Sequence, residues 1–416
     1  MILQNTLLEE NTVVEEHTVV EEQWQQAKKI LCIRLDAIGD VLMTTPAIRA
    51  LKQGDPNRHI TLLTSYSGAD VAALVPEIDR VITYDPPWMK ATAPRLNSRP
   101  ELAMVEALRQ EAFDAAVIFT VFSQNPLPSA LLCYLADIPL RLAHCHENPY
   151  QLLTDWVLDP EPSSGIRHEV RRQLDLVASL GFHIEDECLS LHVTESNHQR
   201  LLQRLQLLEL DIKQPWVVIH PGATAASRRY PAEGFAAVAR RLVLDANCQV
   251  LFTGTEPERE LVAAIQAAMG VASASLVGEL DLAEMAALLA IAPLLIANNT
   301  GPAHIAAAVS TPVVDLYALT NPQHTPWGVP NRVLFHDVPC KFCYKSICPE
   351  GHHHCLQLVS PDDVFRAACE LMADTVNPSI ASPLELVPSA LPLLTLANVD
   401  DRQSTTLTPS AREVWR

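Results

Sequence analysis

Lys29-Ile30-Leu31-Cys32-Ile33-Arg34-Leu35-Asp36-Ala37-Ile38-Gly39-Asp40 is the stretch on which the fold turns. The aliphatic run Lys29–Leu35 is too short for a helix and reads as a buried strand. The chain then turns at Gly39, and a helical pattern begins near Asp40 and runs through Val41–Lys52. Strand, tight turn and helix in that order open a βαβ unit. The turn has one glycine and no Gly-x-Gly-x-x-Gly, which argues against a nicotinamide or flavin dehydrogenase.

Working outward, Ile60–Thr64, Val81–Tyr84 and Ala115–Thr120 repeat the short strand pattern, with helical stretches such as Leu102–Gln110 between them. After a helix-rich connection that includes Glu169–Leu180, the alternation restarts at Trp216–His220. It continues through Gln249–Thr253, Ser275–Val277, Leu294–Ala297 and Val313–Leu316. The expected fold class is α/β, with two doubly wound Rossmann-like domains, 28–210 (linker included) and 211–374, joined near residues 183–214, whose sheets face across a cleft.

Size and composition agree with that division. A chain of 416 residues is too long for one ordinary core, and one that is 48% hydrophobic but 5% aromatic builds an aliphatic core suited to helices on parallel strands. The net charge of −19 is wrong for a nucleic-acid binder. Residues 1–27 hold six glutamates and no Lys or Arg, and 375–416 are rich in Pro, Ser, Thr and Leu, so both read as disordered tails. No run reaches the roughly 18–20 apolar residues of a membrane span. An acidic N-terminus is unlike a signal peptide, so a cytoplasmic protein with at most peripheral membrane contact is expected.

Polar residues gather at the carboxyl ends of the expected strands. Asp36 and Asp40 flank Gly39 at the first. Asp40 has two readings: an acid that favours the positive end of a helix, or a general base at the mouth of the cleft. His220-Pro221-Gly222 leads into Arg228-Arg229-Tyr230-Pro231, where paired guanidinium groups either hold phosphate oxygens or lie exposed on a loop. Asn298-Asn299-Thr300-Gly301-Pro302-Ala303-His304 ends another strand and starts a helix, whose free N–H groups make an anion site that Gly301 leaves open. His304 is either a packed core residue or part of that site. Glu256 and Glu258 start the helix between them, as helix-end acids or as acceptors for ribose hydroxyls.

Taken in order, these elements resemble glycosyltransferase family 9, the ADP-heptose:lipopolysaccharide heptosyltransferases, over nearly all of 29–372. The resemblance is carried by Arg34–Val41, Thr45-Pro46, His220-Pro221-Gly222, Arg228–Pro231 and Asn299–His304. It implies the GT-B architecture and inverting transfer from a nucleotide-sugar donor to a glycan or glycolipid acceptor. It further implies Asp40 as the base, with Asp36 and Gly39 beside it on the acceptor side. Arg228, Arg229, Glu258, Asn299, Thr300, Gly301 and His304 become donor contacts. Asn299 stands where the family often has Asp, and Arg228 where it usually has Lys, so the identity of the sugar stays open. A nucleotide-sugar epimerase and a non-catalytic sugar-binding protein are the rival readings.

No Asp-x-Asp occurs, so charge on a leaving diphosphate falls to Arg228 and a helix end rather than to a bridging metal, and catalysis needs no cofactor. Cys340, Cys343, Cys348 and Cys355, with His352, His353 and His354 in the last gap, admit structural zinc, packed thiols or an iron–sulfur cluster.

Overall fold

The computed structural model describes residues 20–376 apart from 91 and 209. Strands β1 (Lys29–Arg34), β2 (His59–Thr64), β3 (Arg80–Thr83), β4 (Ala115–Ile118), β5 (Leu140–Cys145) and β6 (Asp155–Leu158) form one parallel sheet, ordered β3-β2-β1-β4-β5-β6. Strands β7 (Trp216–His220), β8 (Gln249–Phe252), β9 (Ala274–Ser275), β10 (Leu295–Asn298), β11 (Val313–Leu316) and β12 (Asn331–Leu334) form a second, ordered β12-β11-β10-β7-β8-β9. Numbered from its own first strand, each sheet has the same order. In each, the chain reverses direction across the sheet beside that first strand, between β1 and β4 and between β7 and β10. Loops diverge there and leave a crevice at the carboxyl edge.

Helices on both faces account for the aliphatic strands. All five residues of β7 are buried, as are the last five of β1. Helix Ile38–Gln53 of the first half packs against helix Gly301–Ala308 of the second, and one hydrophobic cluster runs through both, including Val41, Ile48, Leu295 and Ala303. Among the described residues no helix is long and apolar enough to cross a membrane.

Three boundaries differ from the sequence reading. Residues 20–26 are helical, not part of a disordered tail: Val20 and Trp24 share one helical face, and Ala27 just beyond the helix is buried in the same core. Trp24 is fully buried in the first half's core and donates Nε1–H to Asp155 at 2.9 Å. Residues 1–19 and 377–416 lie outside the described residues, and the C-terminal helix Pro361–Val376 takes in the first two residues of the expected tail. Helix Glu195–Leu205 packs on helix Leu282–Ile291, with Arg204 on Glu284 at 3.0 Å and Arg200 on Asp281 at 2.9 Å. It therefore belongs to the second half, so the connection between halves comes before residue 195, at the early end of the expected join, and 195–210 pass to the second domain.

Candidate functional site

Arg34, the last residue of β1, organises the first half's share of the crevice. Its guanidinium is fully buried and meets three carboxylates: Asp36 at 3.0 Å, Asp40 at 3.0 Å and Glu169 at 2.7 Å. A buried charge is tolerated only when paired in this way. The two aspartates differ in what they leave free. Asp36 Oδ2 faces Arg34, and its Oδ1 accepts from Gln124 Nε2 at 2.6 Å. Asp40 Oδ1 accepts from Arg34, while its Oδ2 takes only a long bond from the Ala37 N–H at 3.3 Å. Burial pushes the Asp36 carboxyl up to about 6 against the pull of Arg34. At Asp40 burial acts in the same sense, but the attraction and hydrogen bond of Arg34 outweigh it and hold the carboxyl below its usual range. Asp40 is therefore ionised at neutral pH with one oxygen lightly engaged. Beside Asp36 lies a cavity of about 320 Å³, lined by Phe122, Gln124, Asn125, His146, Glu147 and Pro162.

The helix after β1 starts at Ile38, with Ala37 as its cap, so Gly39 sits inside the first turn rather than at the bend. Its role is close approach. A Cβ on Gly39 would lie 2.5 Å from His304 Cδ2, and one on Gly301 would touch Ile38 at 3.5 Å. The beginnings of helices Ile38–Gln53 and Gly301–Ala308 thus meet side by side across the crevice. Asp40 lies in the first turn of one; the other has no acid in its first turn. His304 is buried and its Nδ1 has no hydrogen-bond partner. Burial presses its pKa down to about 3, so the ring packs as a neutral wedge. Gly39→Ala should gain helix propensity yet lose about 1–3 kcal/mol of stability, because His304 has no room to move. Urea unfolding checks this; a variant as stable as the parent would mean that the wedge swings aside.

On the second half, Arg228 ends a 3₁₀ turn (Ala226–Arg228), and its Nη2 donates to Asn321 Oδ1 at 3.1 Å. Arg229 is exposed, and its guanidinium is committed to the carbonyls of Ala223 at 2.8 Å and Thr224 at 3.3 Å. The two adjacent arginines therefore separate into one that faces the crevice and one that braces the loop. Glu258 caps its own helix through Oε2, which accepts from the Thr255 N–H at 2.7 Å and hydroxyl at 2.9 Å. Its Oε1 overhangs Gly222, where a Cβ would come within 1.8 Å. Any side chain at 222 would have to push the Glu258 carboxylate aside.

Asn298 is a clip: its amide accepts from the Tyr230 N–H at 2.9 Å and donates to the Pro221 carbonyl at 2.8 Å. Asn299 turns inward, donating through Nδ2 to Asp315 at 2.9 Å and to the His324 carbonyl at 2.8 Å, so only its Oδ1 is left for a ligand. Thr300 occupies the cap position of helix Gly301–Ala308, but its hydroxyl bonds back to the Asn298 carbonyl at 3.2 Å, leaving the helix end uncapped by any side chain.

The cysteine-rich loop lies against this donor-side surface. Ser227 donates its N–H to the Ser346 carbonyl at 3.1 Å and its hydroxyl to that of Lys345 at 2.8 Å. Tyr344 donates its N–H to the Thr320 carbonyl at 2.9 Å, and its ring meets Phe122 of the first half edge-on at 5.6 Å. The loop thus holds the residues next to Arg228 and next to its partner Asn321. Cys340, Cys343, Cys348 and Cys355 carry free thiols that line one small pocket with His352 and His353. Cys340 Sγ comes 3.8 Å from His352 Nε2. Among the described residues no group of three or more His, Cys, Asp or Glu stands so as to hold a metal ion, and the side chains as placed do not form the four-ligand set of structural zinc.

Glu169, Gln124, Asn321, His324 and Asp315 also belong to this surface, and the sequence reading does not single them out. Gln124 follows β4 at the first sheet's reversal point, where the topology directs attention. The others come from distant segments with no local motif. Asp315, buried on β11, is pushed up to about 8 by desolvation.

Two parallel sheets facing each other at their carboxyl edges, with a carboxylate on one side and an arginine and open helix end on the other, make up a glycosyltransferase of the GT-B class. The chain belongs to glycosyltransferase family 9 (heptosyltransferase), whose family model matches residues 102–354. It is 26% identical over 325 residues to lipopolysaccharide heptosyltransferase 1 of Pseudomonas aeruginosa, covering 77% of this chain and 87% of that protein. The fold is shared with a family 9 glycosyl transferase from Veillonella parvula (TM-score 0.68, 23% identity, 83% of this chain and 97% of that one). It is also shared with the ADP-heptose lipopolysaccharide heptosyltransferase II of Escherichia coli (TM-score 0.64, 24% identity, 84% and 99%).

Proposed function

We propose that the chain transfers heptose, with inversion, from ADP-heptose to a hydroxyl of a lipopolysaccharide-core glycan. The observation that carries this reading is the Asp40 carboxylate, held ionised by Arg34, directly beside the uncapped start of helix Gly301–Ala308. The names of the relatives supply heptose, ADP and the core as first candidates.

In this reading the acceptor sugar enters from the cavity beside Gln124. Its hydroxyl hydrogen-bonds to Asp40 Oδ2, which takes the proton as the oxygen attacks the anomeric carbon. The C–O bond to the diphosphate breaks on the opposite face, which inverts the anomeric centre. Arg228 and the N–H groups at the start of helix Gly301–Ala308 take up the charge of the leaving diphosphate, in place before reaction starts. Glu258 Oε1 accepts from ribose, and Asn299 Oδ1 from the donor sugar. The mechanism calls for no cofactor.

The test is incubation with ADP-heptose and a heptose-bearing core oligosaccharide, with the product's anomeric configuration read by NMR. An inverted product is expected; a retained one, or donor isomerisation without acceptor, would overturn the reading. In the same assay Arg228→Ala should raise the donor Kd about tenfold or more, removing a charge-assisted contact worth roughly 1.5–3 kcal/mol. Arg229→Ala should cost less, since its guanidinium is turned to its own loop. Equal or reversed losses would show that the wrong arginine has been assigned.

A further inference from the structure

We infer that His324 is a positioning residue for Asp40, presenting a neutral imidazole with its proton on Nε2 because Asn321, its amide oriented by Arg228, fixes the tautomer. The inference rests on Asp40 being the base.

The reasoning starts from a group that can only donate. Arg228 Nη2 lies 3.1 Å from one end of the Asn321 amide, and a guanidinium has no acceptor, so that end must be the oxygen. The Thr320 hydroxyl donates to the same oxygen at 2.7 Å. The other end is therefore the NH₂, and it faces His324 Nδ1 at 3.1 Å. An NH₂ cannot accept, so Nδ1 must, and the ring proton sits on Nε2. Burial lowers the pKa of this ring and keeps it neutral.

That Nε2–H is buried, has no hydrogen-bond partner and lies 3.9 Å from Asp40 Oδ1. The distance exceeds a hydrogen bond by about 1 Å, within reach of a small side-chain rotation. An orphaned buried donor is costly, so a carboxylate is the natural destination. Only Oδ1 would be taken, the oxygen already bound to Arg34, so Oδ2 stays directed at the acceptor hydroxyl.

The segment that carries His324 follows β11 of the second half, yet it is fastened to the first. Gln323 accepts from the Glu169 N–H at 3.0 Å, and Thr325 bonds to His168 Nε2 at 2.9 Å. Trp327 lies against His168 with the rings tilted by 34° and their centroids 4.5 Å apart, and it donates to the Glu187 carbonyl at 2.9 Å. His324 is thus held beside Asp40 while its tautomer is set from the donor side. The row Arg228–Asn321–His324–Asp40 joins the cation that would face the leaving diphosphate to the base that would face the acceptor.

The tautomer is measured without substrate, from ¹⁵N shifts of the full chain labelled at histidine, with the His324 signal assigned by its absence in His324→Gln. A proton on Nε2 is expected; one on Nδ1, or on both nitrogens, overturns the inference whatever the enzyme's substrate proves to be. Kinetics supply the second arm. Glutamine places an N–H where Nε2–H stands, asparagine places its polar group near Nδ1, and leucine has neither. With ADP-heptose as donor, kcat should fall roughly 10²-fold in His324→Leu and His324→Asn and by less than about tenfold in His324→Gln, with donor Kd little altered. Equal losses in all three variants, or losses in donor Kd instead of kcat, would reduce His324 to a packing role. Absence of transfer by the wild-type protein would instead count against the substrate assignment, leaving the tautomer to decide this one.

Discussion

Asp40→Asn should lower the rate of sugar transfer by roughly 10²–10⁴-fold. A sugar hydroxyl is far too weak an acid to lose its proton before attack, so a base must remove it as the new bond forms. The amide keeps the shape of the side chain and a bond to Arg34 but cannot take a proton. Arg34 retains Asp36 and Glu169 as partners, so the loss of stability should be on the order of 1 kcal/mol. Donor affinity should hardly move, since the donor contacts lie on the other half. Asp36→Asn is the comparison. Both oxygens of Asp36 are engaged, by Arg34 and Gln124, so it should cost less than Asp40→Asn. Transfer by Asp40→Asn at near the parent rate would end the case for this base and turn attention to Asp36.

Arg34→Met should be the most destabilising single change at the site, costing about 3–5 kcal/mol near pH 7. It strands Asp36, Asp40 and Glu169 around one buried position with no counter-charge. Burial alone would lower the Arg34 pKa; the three carboxylates more than reverse that, which measures how strongly the group is coupled to them. The pH dependence gives the prediction its sign. Without Arg34 the carboxyls are left with burial and mutual repulsion, both of which raise their folded-state pKa values above the unfolded ones. Such groups favour the folded state below the unfolded pKa and lose that contribution as pH rises through the folded pKa. The deficit relative to the parent should therefore shrink between pH 7 and pH 5. Urea unfolding at the two pH values checks it, and a deficit that grows on acidification would refute the account.

The architecture is legible in the sequence wherever residues announce themselves locally. β1, β7 and β10 are strands built around buried aliphatic residues, and the Gly-, Pro- and Arg-bearing turns after them lie at the edge where a ligand would enter. Strands β5, β6 and β12 are missing from the sequence reading: Arg141 and His144 interrupt the aliphatic run of β5, and β6 and β12 are short and only partly buried or exposed. Trp24 is hidden in an acidic, repetitive stretch whose charge masks the apolar face it shares with Val20. Gly39 stands out in the sequence as a bend, yet the neighbour that demands a glycine there is His304, 265 positions later. Asn299 reads as a ligand contact, whereas its amide nitrogen serves the interior. The Arg34 cluster shows the general limit. Asp36 and Asp40 are close in sequence, but Glu169 comes from another helix, and nothing in its own surroundings marks it as the third partner.

The two helix beginnings that meet at Gly39 and His304 are like poles, each carrying part of a positive charge, and like poles resist being brought together. One is quenched by its own residue, Asp40. The other has no acid in its first turn and so is quenched by nothing that its own first turn supplies. A nucleotide diphosphate arriving there would complete the set, standing in for the carboxylate that the second helix lacks. Substrate capture and the seating of one half on the other would then be a single electrostatic event, and the unliganded protein should hold its two halves together less tightly than the loaded one.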